Sequence, residues 1–318
     1  MRIAIAGAGG VGGLIGGLLA RAGTEVVVVA RGAHAEAIRV RGITVDSPLG
    51  KFTARVAGVS DDPATLGAVD AVLVAVKSWQ VSEIAPLLPP LVAAGGVAVP
   101  LENGVEGASR LEAELGEDRV AGGIVTVLSW IQAPGAIRHV GGAPRITMGE
   151  RGARSGARSE RLEALAAVLR AARVEVTIAE DIERAMWEKF MFIEPWGAVA
   201  SAARAPAGVI RSTPETREVL KRTVEEVAAL ARARGVSLGA DAVPSALARI
   251  DAVPFEATAS MQRDIGAGRP SELDDQTGAV VRLAGEAGVP VPVHAVLLGA
   301  LVPQEQTARG SIAPFTRT

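Results

Sequence analysis

The N-terminal stretch decides the fold: residues 2–31 read "RIAIAGAGGVGGLIGGLLARAGTEVVVVAR". A short apolar run is followed by a glycine-rich turn, a small-residue stretch that predicts a helix to Arg21, and a second apolar run. Gly7, Gly9 and Gly12 have the spacing G-x-G-x-x-G at the junction of strand and helix. In this context the spacing indicates a dinucleotide site, so the sequence predicts a βαβ unit at the N-terminus.

Each glycine of this turn has its own predicted role. Gly7 permits a tight turn, Gly9 lets a pyrophosphate approach the backbone, and Gly12 allows the helix to pack closely on the strand. The helix N-terminus then faces the anion. The alternative is a merely flexible loop in a chain with 37 glycines. We predict that the whole loop binds the cofactor, through Gly7, Ala8, Gly9, Gly10, Val11 and Gly12.

Arg31 follows the second strand and bears on the choice of cofactor. NAD sites have an acidic residue near this place, which binds the ribose 2′-hydroxyl, and here it is absent. An arginine suits a 2′-phosphate, so the sequence favours NADPH over NADH. The alternative is that Arg31 is only a solvated charge at a strand end.

Further apolar runs extend the predicted parallel sheet: "DAVLVAVK" (70–77), "GGVAVPLENG" (95–104) and "RVAGGIVTVLSWI" (119–131). Ligands of open α/β sheets bind beyond the carboxyl ends of the strands, where Lys77 and Asn103 lie. Lys77 is placed to reach a phosphate or the nicotinamide ribose, with Gln80 one turn behind it, or else it extends into solvent. The Asn103 amide suits a nicotinamide carboxamide or a substrate carbonyl, or else caps the next helix.

Composition excludes several classes of partner. The chain has 318 residues, a net charge of −2 and no basic block, so neither a nucleic acid nor an anionic membrane surface is expected. No run approaches the ~20 apolar residues that cross a bilayer. The apolar N-terminus has its glycines at a functional spacing and is therefore not interpreted as a signal peptide, so a cytoplasmic location is expected.

Metal-dependent and thiol chemistry are not expected either. The chain has no cysteine, which excludes thiolate nucleophiles and cysteine-ligated metals. The histidines His34, His139 and His294 are dispersed, without an i, i+4 pair, so we predict no metal site. A Ser/His/Asp triad has no nucleophile elbow to support it.

The alternation of strands and helices stops near Ala179, and the rest of the sequence reads as mostly helical. The stretch "PETREVLKRTVEEVAALARARG" (214–235) has its apolar residues on one face of a long helix. We therefore predict a dinucleotide-binding α/β domain at residues 1–179 and an all-helical domain for substrate binding and dimerisation at residues 180–318. A homodimer is expected because the apolar C-terminal helices exceed what one small domain buries.

Lys189 is a candidate catalytic residue because lysine is rare in this chain. Of the 33 basic residues four are lysines: Lys51, Lys77, Lys189 and Lys221. In "WEKFMFIEPWGAVA" (187–200), helical spacing places Lys189 on an apolar face with Ile193 and Trp196. A lysine there extends to water, finds a partner, or lies in a cleft where its charge is more easily lost. Pro195 is expected to break or kink this helix.

Ser260 and Glu272 lie on either side of a Gly/Arg/Pro turn in "SMQRDIGAGRPSELDDQTGAVV" (260–281). Capping of the following helix, with Ser271 as N-cap, would by itself account for Glu272 in the first turn. A carboxylate is also the natural partner of a cleft lysine, because it keeps the ammonium protonated until the proton is needed.

Together these motifs resemble, in order and over nearly the whole chain, those of the ketopantoate reductases (2-dehydropantoate 2-reductases), NADPH-dependent enzymes of pantothenate synthesis. The resemblance implies a Rossmann domain followed by a helical domain like that of 6-phosphogluconate dehydrogenase. It implies that Lys77 and Gln80 of "KSWQ" contact the cofactor and that "ENG" supplies the motif asparagine, Asn103. In "WEKF" it implies that Lys189 is the general acid that protonates the ketone oxygen.

The same resemblance implies that Ser260 binds the substrate carboxylate and that Glu272 is the glutamate of the site. The chain departs from the family pattern just beyond Lys189. Well-studied members carry asparagines four and eight residues after the lysine, which bind the pantoyl hydroxyl and carbonyl, and this chain has Ile193 and Gly197 there. A site that hydrogen-bonds a hydroxyl discriminates strongly for it, so the substrate is expected to be ketopantoate or a more apolar small 2-keto acid.

Two alternatives remain open at this point. In the first, the altered pocket accepts another carbonyl or an imine as substrate. In the second, the chain is an NADPH-binding sensor that catalyses no reaction. The presence of Lys189 and Glu272 favours an enzyme, because cofactor binding needs neither.

Overall fold

A computed structural model describes residues 1–313. The chain divides into two compact units, Met1–Ala185 and Met186–Thr318, and Thr318, the predicted end of the second domain, lies outside the described residues. The assignment of residues 1–179 and 180–318 to separate functions stays a prediction. Within the described range, no helix is both long and apolar enough to span a membrane.

The first unit alternates strands with helices. Its strands are β1 (Arg2–Ala6), β2 (Glu25–Val29), β3 (Ile43–Ser47), β4 (Gly50–Ala54), β5 (Gly58–Ser60), β6 (Val69–Val74), β7 (Val92–Pro100), β8 (Gly122–Ala133), β9 (Ala136–Gly149) and β10 (Glu175–Ile178). Its helices are α1 (Gly10–Arg21), α2 (Gly32–Arg41), α3 (Val81–Ile84), α4 (Gly107–Leu115) and α5 (Glu160–Ala171).

Five parallel strands form the sheet that the N-terminal sequence predicts, in the order β5–β2–β1–β6–β7. Alternate residues of β1 face two different cores, as the period of a strand requires. Ile3 and Ile5 belong to one buried cluster, which includes Leu14 of α1, and Ala4 lies in the other cluster with Leu111 of α4. Burial on both faces explains why these strands are continuous apolar runs.

The third predicted strand joins this sheet through one parallel bridge, between Ala98 of β7 and Val120, and for the rest of the run the prediction is wrong. The run 119–131 supplies β8, which pairs antiparallel with β9 in a second sheet of order β10–β9–β3–β4. Strand β3 pairs parallel with β9 and antiparallel with β4. An apolar run specifies a strand but not its neighbour, since pairing depends on residues distant in sequence.

The second unit is helical, as expected. After α6 (Ile182–Ala203), which crosses the division between the units, come α7 (Ala207–Ser212), α8 (Pro214–Ala233), α9 (Ala242–Asp251), α10 (Ser260–Gly266), a π-helical turn (Asp274–Gly278), α11 (Ala279–Ala287) and α12 (Pro292–Ala308). The predicted apolar face of α8 is buried at Leu220, Val224, Val227, Leu230 and Ala231.

Helix α6 is continuous through Pro195, so the expected break is absent. A proline removes one backbone donor, but the helix on either side keeps its own hydrogen bonds. Glu194, directly before the proline, accepts a hydrogen bond from Thr277 Oγ1 in the π-helical turn at 2.8 Å, which fastens this part of α6 to a second element.

Candidate functional site

The turn between β1 and α1 has the geometry of a phosphate loop. Gly7 has φ +95°, and a Cβ there would lie 2.7 Å from the Val76 backbone nitrogen. A Cβ at Gly12 would lie 2.0 Å from the Gly7 carbonyl oxygen, so the helix approaches the turn too closely for any side chain. A Cβ at Gly9 meets nothing within 4 Å. The three positions thus have the tight turn, the close packing and the open approach that a pyrophosphate needs.

Helix α1 begins directly after this opening. Gly9 is its N-cap and makes no side-chain capping bond, and the Gly13 backbone nitrogen donates to the Gly9 carbonyl at 2.8 Å. The first backbone N–H groups of a helix lack intrahelical acceptors and attract anions. The loop residues therefore suit the pyrophosphate of a dinucleotide.

His34 braces this loop, a role that the sequence did not reveal. Its Nε2 donates to the Ala8 carbonyl at 2.8 Å, while its Nδ1 accepts from the Gly135 backbone nitrogen at 3.1 Å. One ring nitrogen donates and the other accepts, which requires a neutral imidazole. Burial lowers the pKa of His34, although the Ala8 hydrogen bond opposes this. His34 thereby ties the phosphate loop to the turn between β8 and β9.

Arg31 lies at the strand end where an adenosine ribose would be recognised. It is the N-cap residue of α2, two residues after β2 ends at Val29, and its side chain is 72% exposed. One guanidinium nitrogen is 3.8 Å from Glu83 Oε2, whose side chain is also exposed. An exposed ion pair at this distance contributes little, so the guanidinium is available to a 2′-phosphate.

Lys77 and Gln80 lie together after β6. The Lys77 backbone nitrogen donates to Gln80 Oε1 at 3.3 Å, closing a short 3₁₀ turn at Ser78–Gln80. The Lys77 ammonium lies 5.6 Å from the centre of the Trp79 ring. Gln80 therefore shapes the turn that presents Lys77, which is exposed at the carboxyl end of a sheet strand.

Asn103 is half-buried in the turn that follows β7. The alternative that it caps α4 is wrong, because α4 begins at Gly107 and its N-cap is Glu106. Gly104 next to it has φ +132°, which lets the chain reverse directly after the asparagine. Asn103 thus lies beyond the carboxyl end of a parallel strand, where ligands of such sheets bind.

The remaining candidate residues belong to the helical unit. Lys189 is half-buried in the first half of α6, and Ser260 is exposed as the first residue of α10. Glu272 is 5% exposed and precedes the π-helical turn. Gln276 Nε2 donates to Glu272 Oε2 at 3.1 Å, which holds the carboxylate in place.

Ser271 makes a bond of the kind that the capping alternative predicts, and Glu272 has a side-chain partner besides. Ser271 Oγ accepts from the Leu273 backbone nitrogen at 3.2 Å and donates to Glu305 Oε2 at 2.5 Å. Ser271 therefore anchors the chain to α12, while the buried Glu272 carboxylate bonds to a side chain. Among residues 1–313, no group of three or more His, Cys, Asp or Glu side chains is arranged to hold a metal ion.

Family models match both units of this chain. The model described as "Ketopantoate reductase PanE/ApbA" matches residues 3–153, and "Ketopantoate reductase PanE/ApbA C terminal" matches residues 181–305. The chain belongs to the ketopantoate reductase family.

Named relatives of this family cover nearly the full chain. A 2-dehydropantoate 2-reductase of Mesorhizobium japonicum is 32% identical, over 98% of this chain and 99% of its own. A 2-dehydropantoate 2-reductase of Halobacterium salinarum is 30% identical, over 92% of this chain and 95% of its own. The chain is accordingly an oxidoreductase that acts on a C=O/CH–OH group with a nicotinamide cofactor.

Solved structures agree with this fold. A PanE/ApbA family ketopantoate reductase from Ralstonia eutropha has a TM-score of 0.86 at 30% identity, covering 97% of this chain and 100% of that chain. A ternary structure of D-mandelate dehydrogenase with NADH and anilino(oxo)acetate has the same TM-score at 20% identity, covering 97% of this chain and 99% of that chain. The second likeness concerns the fold alone. The fold class predicted from the sequence is confirmed.

Proposed function

We propose that this protein reduces 2-dehydropantoate, or a closely related small 2-keto acid, to the 2-hydroxy acid with NADPH. The observation that carries the proposal is the phosphate loop, in which Gly7 and Gly12 leave no room for side chains while Gly9 is open. Beyond it, the exposed Arg31 guanidinium supports a cofactor with a 2′-phosphate. Membership of the ketopantoate reductase family supports the substrate class.

The residues of the first unit are proposed to hold the cofactor. Backbone N–H groups of Gly9, Gly10 and Val11 would bind the pyrophosphate at the start of α1. Lys77 would neutralise a phosphate or bind the nicotinamide ribose, and the Asn103 amide would bind the carboxamide or the substrate carbonyl. When bound, NADPH supplies the hydride that reaches the keto carbon.

The residues of the helical unit are proposed to handle the substrate and the proton. Lys189 donates a proton to the ketone oxygen as the C=O π electrons move onto it, so that a hydroxyl rather than an alkoxide forms. Glu272 favours the charged form of Lys189 before the reaction. Ser260 supplies a hydroxyl donor for the substrate carboxylate.

Lys189→Met tests the chemical step. The variant keeps most of the length of the side chain but has no proton to give, and we expect kcat to fall by roughly 10²- to 10⁴-fold. The dissociation constant of NADPH, measured by fluorescence titration, should stay unchanged. Lys221→Met is the matched control, because Lys221 pairs with Glu225 at the surface of α8 and its loss should leave kcat unaffected. Unaltered kcat in Lys189→Met would remove the proposed mechanism.

A second candidate is a reductase of another carbonyl or imine. It is favoured by Ile193 and Gly197, which replace the asparagines expected from the family pattern. The same fold carries NADH in D-mandelate dehydrogenase, so the fold by itself leaves cofactor and substrate open. A panel of 2-keto acids, with and without added amine and with each cofactor, separates the candidates. We also propose a homodimer, which light scattering of the purified protein tests.

A further inference from the structure

Gly197 lies in α6, and its surroundings do not require a glycine. A glycine is needed where φ is left-handed or where a neighbour is too close for a Cβ. Gly197 is helical, and a Cβ there would lie 3.2 Å from Met261 Cε and 3.9 Å from Ala259 Cβ. The nearer atom is the far end of a flexible side chain, which yields easily.

A comparison with Gly208 shows the difference. A Cβ at Gly208 would lie 2.0 Å from Cδ2 of the Phe255 ring, so packing forbids any side chain there. Gly197 has no such neighbour, and glycine is disfavoured relative to alanine inside a helix. Neither the backbone conformation nor close packing requires a glycine at 197, and its effect is the space that it leaves beside α6.

Gln276 is the polar side chain beside this glycine. The Gln276 Oε1 atom lies 3.9 Å from the position that a Cβ at 197 would take. The residue is 2% exposed, and within the described part of the chain its Oε1 accepts no hydrogen bond from another residue. A methyl group at 197 would come into van der Waals contact with this oxygen and take up space beside it.

The orientation of the Gln276 amide follows from its other partner. Glu272 Oε2 receives a hydrogen bond at 3.1 Å, and an ionised carboxylate only accepts, so the NH₂ end of Gln276 must face Glu272. The carbonyl end therefore faces the side of Gly197. Gln276 thus presents an acceptor beside Gly197 while its donor end is fixed to a residue of the proposed site.

We propose that Gln276 is a specificity-determining residue, whose carbonyl oxygen, uncovered by Gly197, accepts a hydrogen bond from a hydroxyl or amine on the tail of the 2-keto acid. Ile193, one turn before Gly197 on α6, is half-buried and offers an apolar surface to the tail carbons. The substrate class is therefore a 2-keto acid with a hydrogen-bond donor on an otherwise apolar tail. The inference rests on the proposed function and adds the tail chemistry to it.

The experiment uses matched pairs of 2-keto acids that differ only in the tail donor, among them 2-dehydropantoate and its analogue without the tail hydroxyl. We expect the wild-type protein to prefer the donor-bearing member by about tenfold in kcat/KM, the effect of one good hydrogen bond. Gln276→Met should abolish this preference, by slowing the donor-bearing substrate and leaving its partner unchanged. Gly197→Ala should do the same by taking up space beside the oxygen, with Gln276 intact.

Gln262→Met is the matched control. Gln262 is a glutamine of α10 whose two amide ends are both engaged by backbone groups, with Oε1 accepting from the Ala259 nitrogen and Nε2 donating to the Ala205 carbonyl. Its loss should leave the preference between tails unchanged. Circular dichroism of each variant establishes that the helical unit is folded.

Dissociation constants of the same pairs, measured by calorimetry with NADP⁺ present, separate this inference from the proposed function. A wild-type protein that binds the donor-bearing acids more tightly but turns over none of them would contradict the proposed function and leave the role of Gln276 standing. Two results would overturn the role of Gln276. One is a preference for the donor-bearing acid that persists in both Gln276→Met and Gly197→Ala. The other is a wild-type protein that binds the two members of each pair equally tightly.

Discussion

Buried in the helical unit, His294 lies between two glutamates, and this arrangement predicts how stability depends on pH. Its Nε2 is 2.8 Å from Glu194 Oε2, and its Nδ1 is 2.5 Å from Glu226 Oε2. Since both ring nitrogens face carboxylates, the imidazole must carry both protons. Burial alone lowers the pKa of His294, but the charges and hydrogen bonds of Glu194 and Glu226 outweigh it and raise the pKa to about 9.

The size and the sign of the effect follow from this pKa. A rise from 6.5 to about 9 corresponds to roughly 3 kcal/mol of unfolding free energy, at about 1.4 kcal/mol per pKa unit. Because the folded pKa of His294 is the higher one, this stability is fully present below pH 6.5 and is lost as the pH rises to about 9. Burial favours the neutral form of Glu226, yet hydrogen bonds from His294 lower its pKa, so its charge persists through this window.

Nuclear magnetic resonance of the imidazoles measures the pKa of His294 directly, because the chain has only three histidines to resolve. We expect one to titrate near pH 9 and two, His34 and His139, to titrate below 6.5, since burial lowers the pKa of both. Urea unfolding between pH 6.5 and 9.5 should show the falling free energy. Glu226→Gln should lower the high pKa and flatten the slope. Three histidines that all titrate below pH 7 would refute the reasoning.

Further predictions concern the cofactor loop. Gly9→Ala should leave the melting temperature unchanged, since its Cβ meets nothing within 4 Å, but should weaken NADPH binding at least tenfold, measured by fluorescence titration. Gly12→Ala should lower the melting temperature as well, because its Cβ would lie 2.0 Å from the Gly7 carbonyl oxygen; equal melting temperatures of the two variants would contradict the close packing. Arg31→Ala should weaken NADPH binding by roughly tenfold and leave NADH binding unchanged, from the loss of ~1.5–3 kcal/mol of charge-assisted hydrogen bonding; an equal loss for both cofactors would exclude a role at the 2′-phosphate.

The sequence predicts those parts of the fold that local patterns control. The turn at Gly7 to Gly12 is local, because its glycine spacing and the apolar runs on either side of it lie within one βαβ unit. The buried face of α8 follows from helical spacing alone. Strand β8 was misplaced because its apolar run is compatible with either sheet, and its pairing with β9 involves residues that no local pattern identifies.

The interactions that the sequence did not reveal join distant residues. His294 and Glu194 are 100 positions apart, and Glu226 is 68 positions from His294, so three isolated residues gave no local signal. The proposed role of Gln276 likewise depends on Gly197, a residue of another helix that is distant in sequence. One available sign was a histidine within the apolar run "VPVHAVLL" (291–298), since a buried histidine needs partners for its ring nitrogens.

The most direct test of the central claim is the oxidation of NADPH by the purified protein with 2-dehydropantoate, followed by the absorbance of the reduced nicotinamide. NADH and unbranched 2-keto acids are assayed in parallel. The account predicts turnover of a small 2-keto acid that is faster with NADPH than with NADH and is lost in Lys189→Met. No oxidation of either cofactor with any 2-keto acid, by a folded protein that binds NADPH, would contradict it.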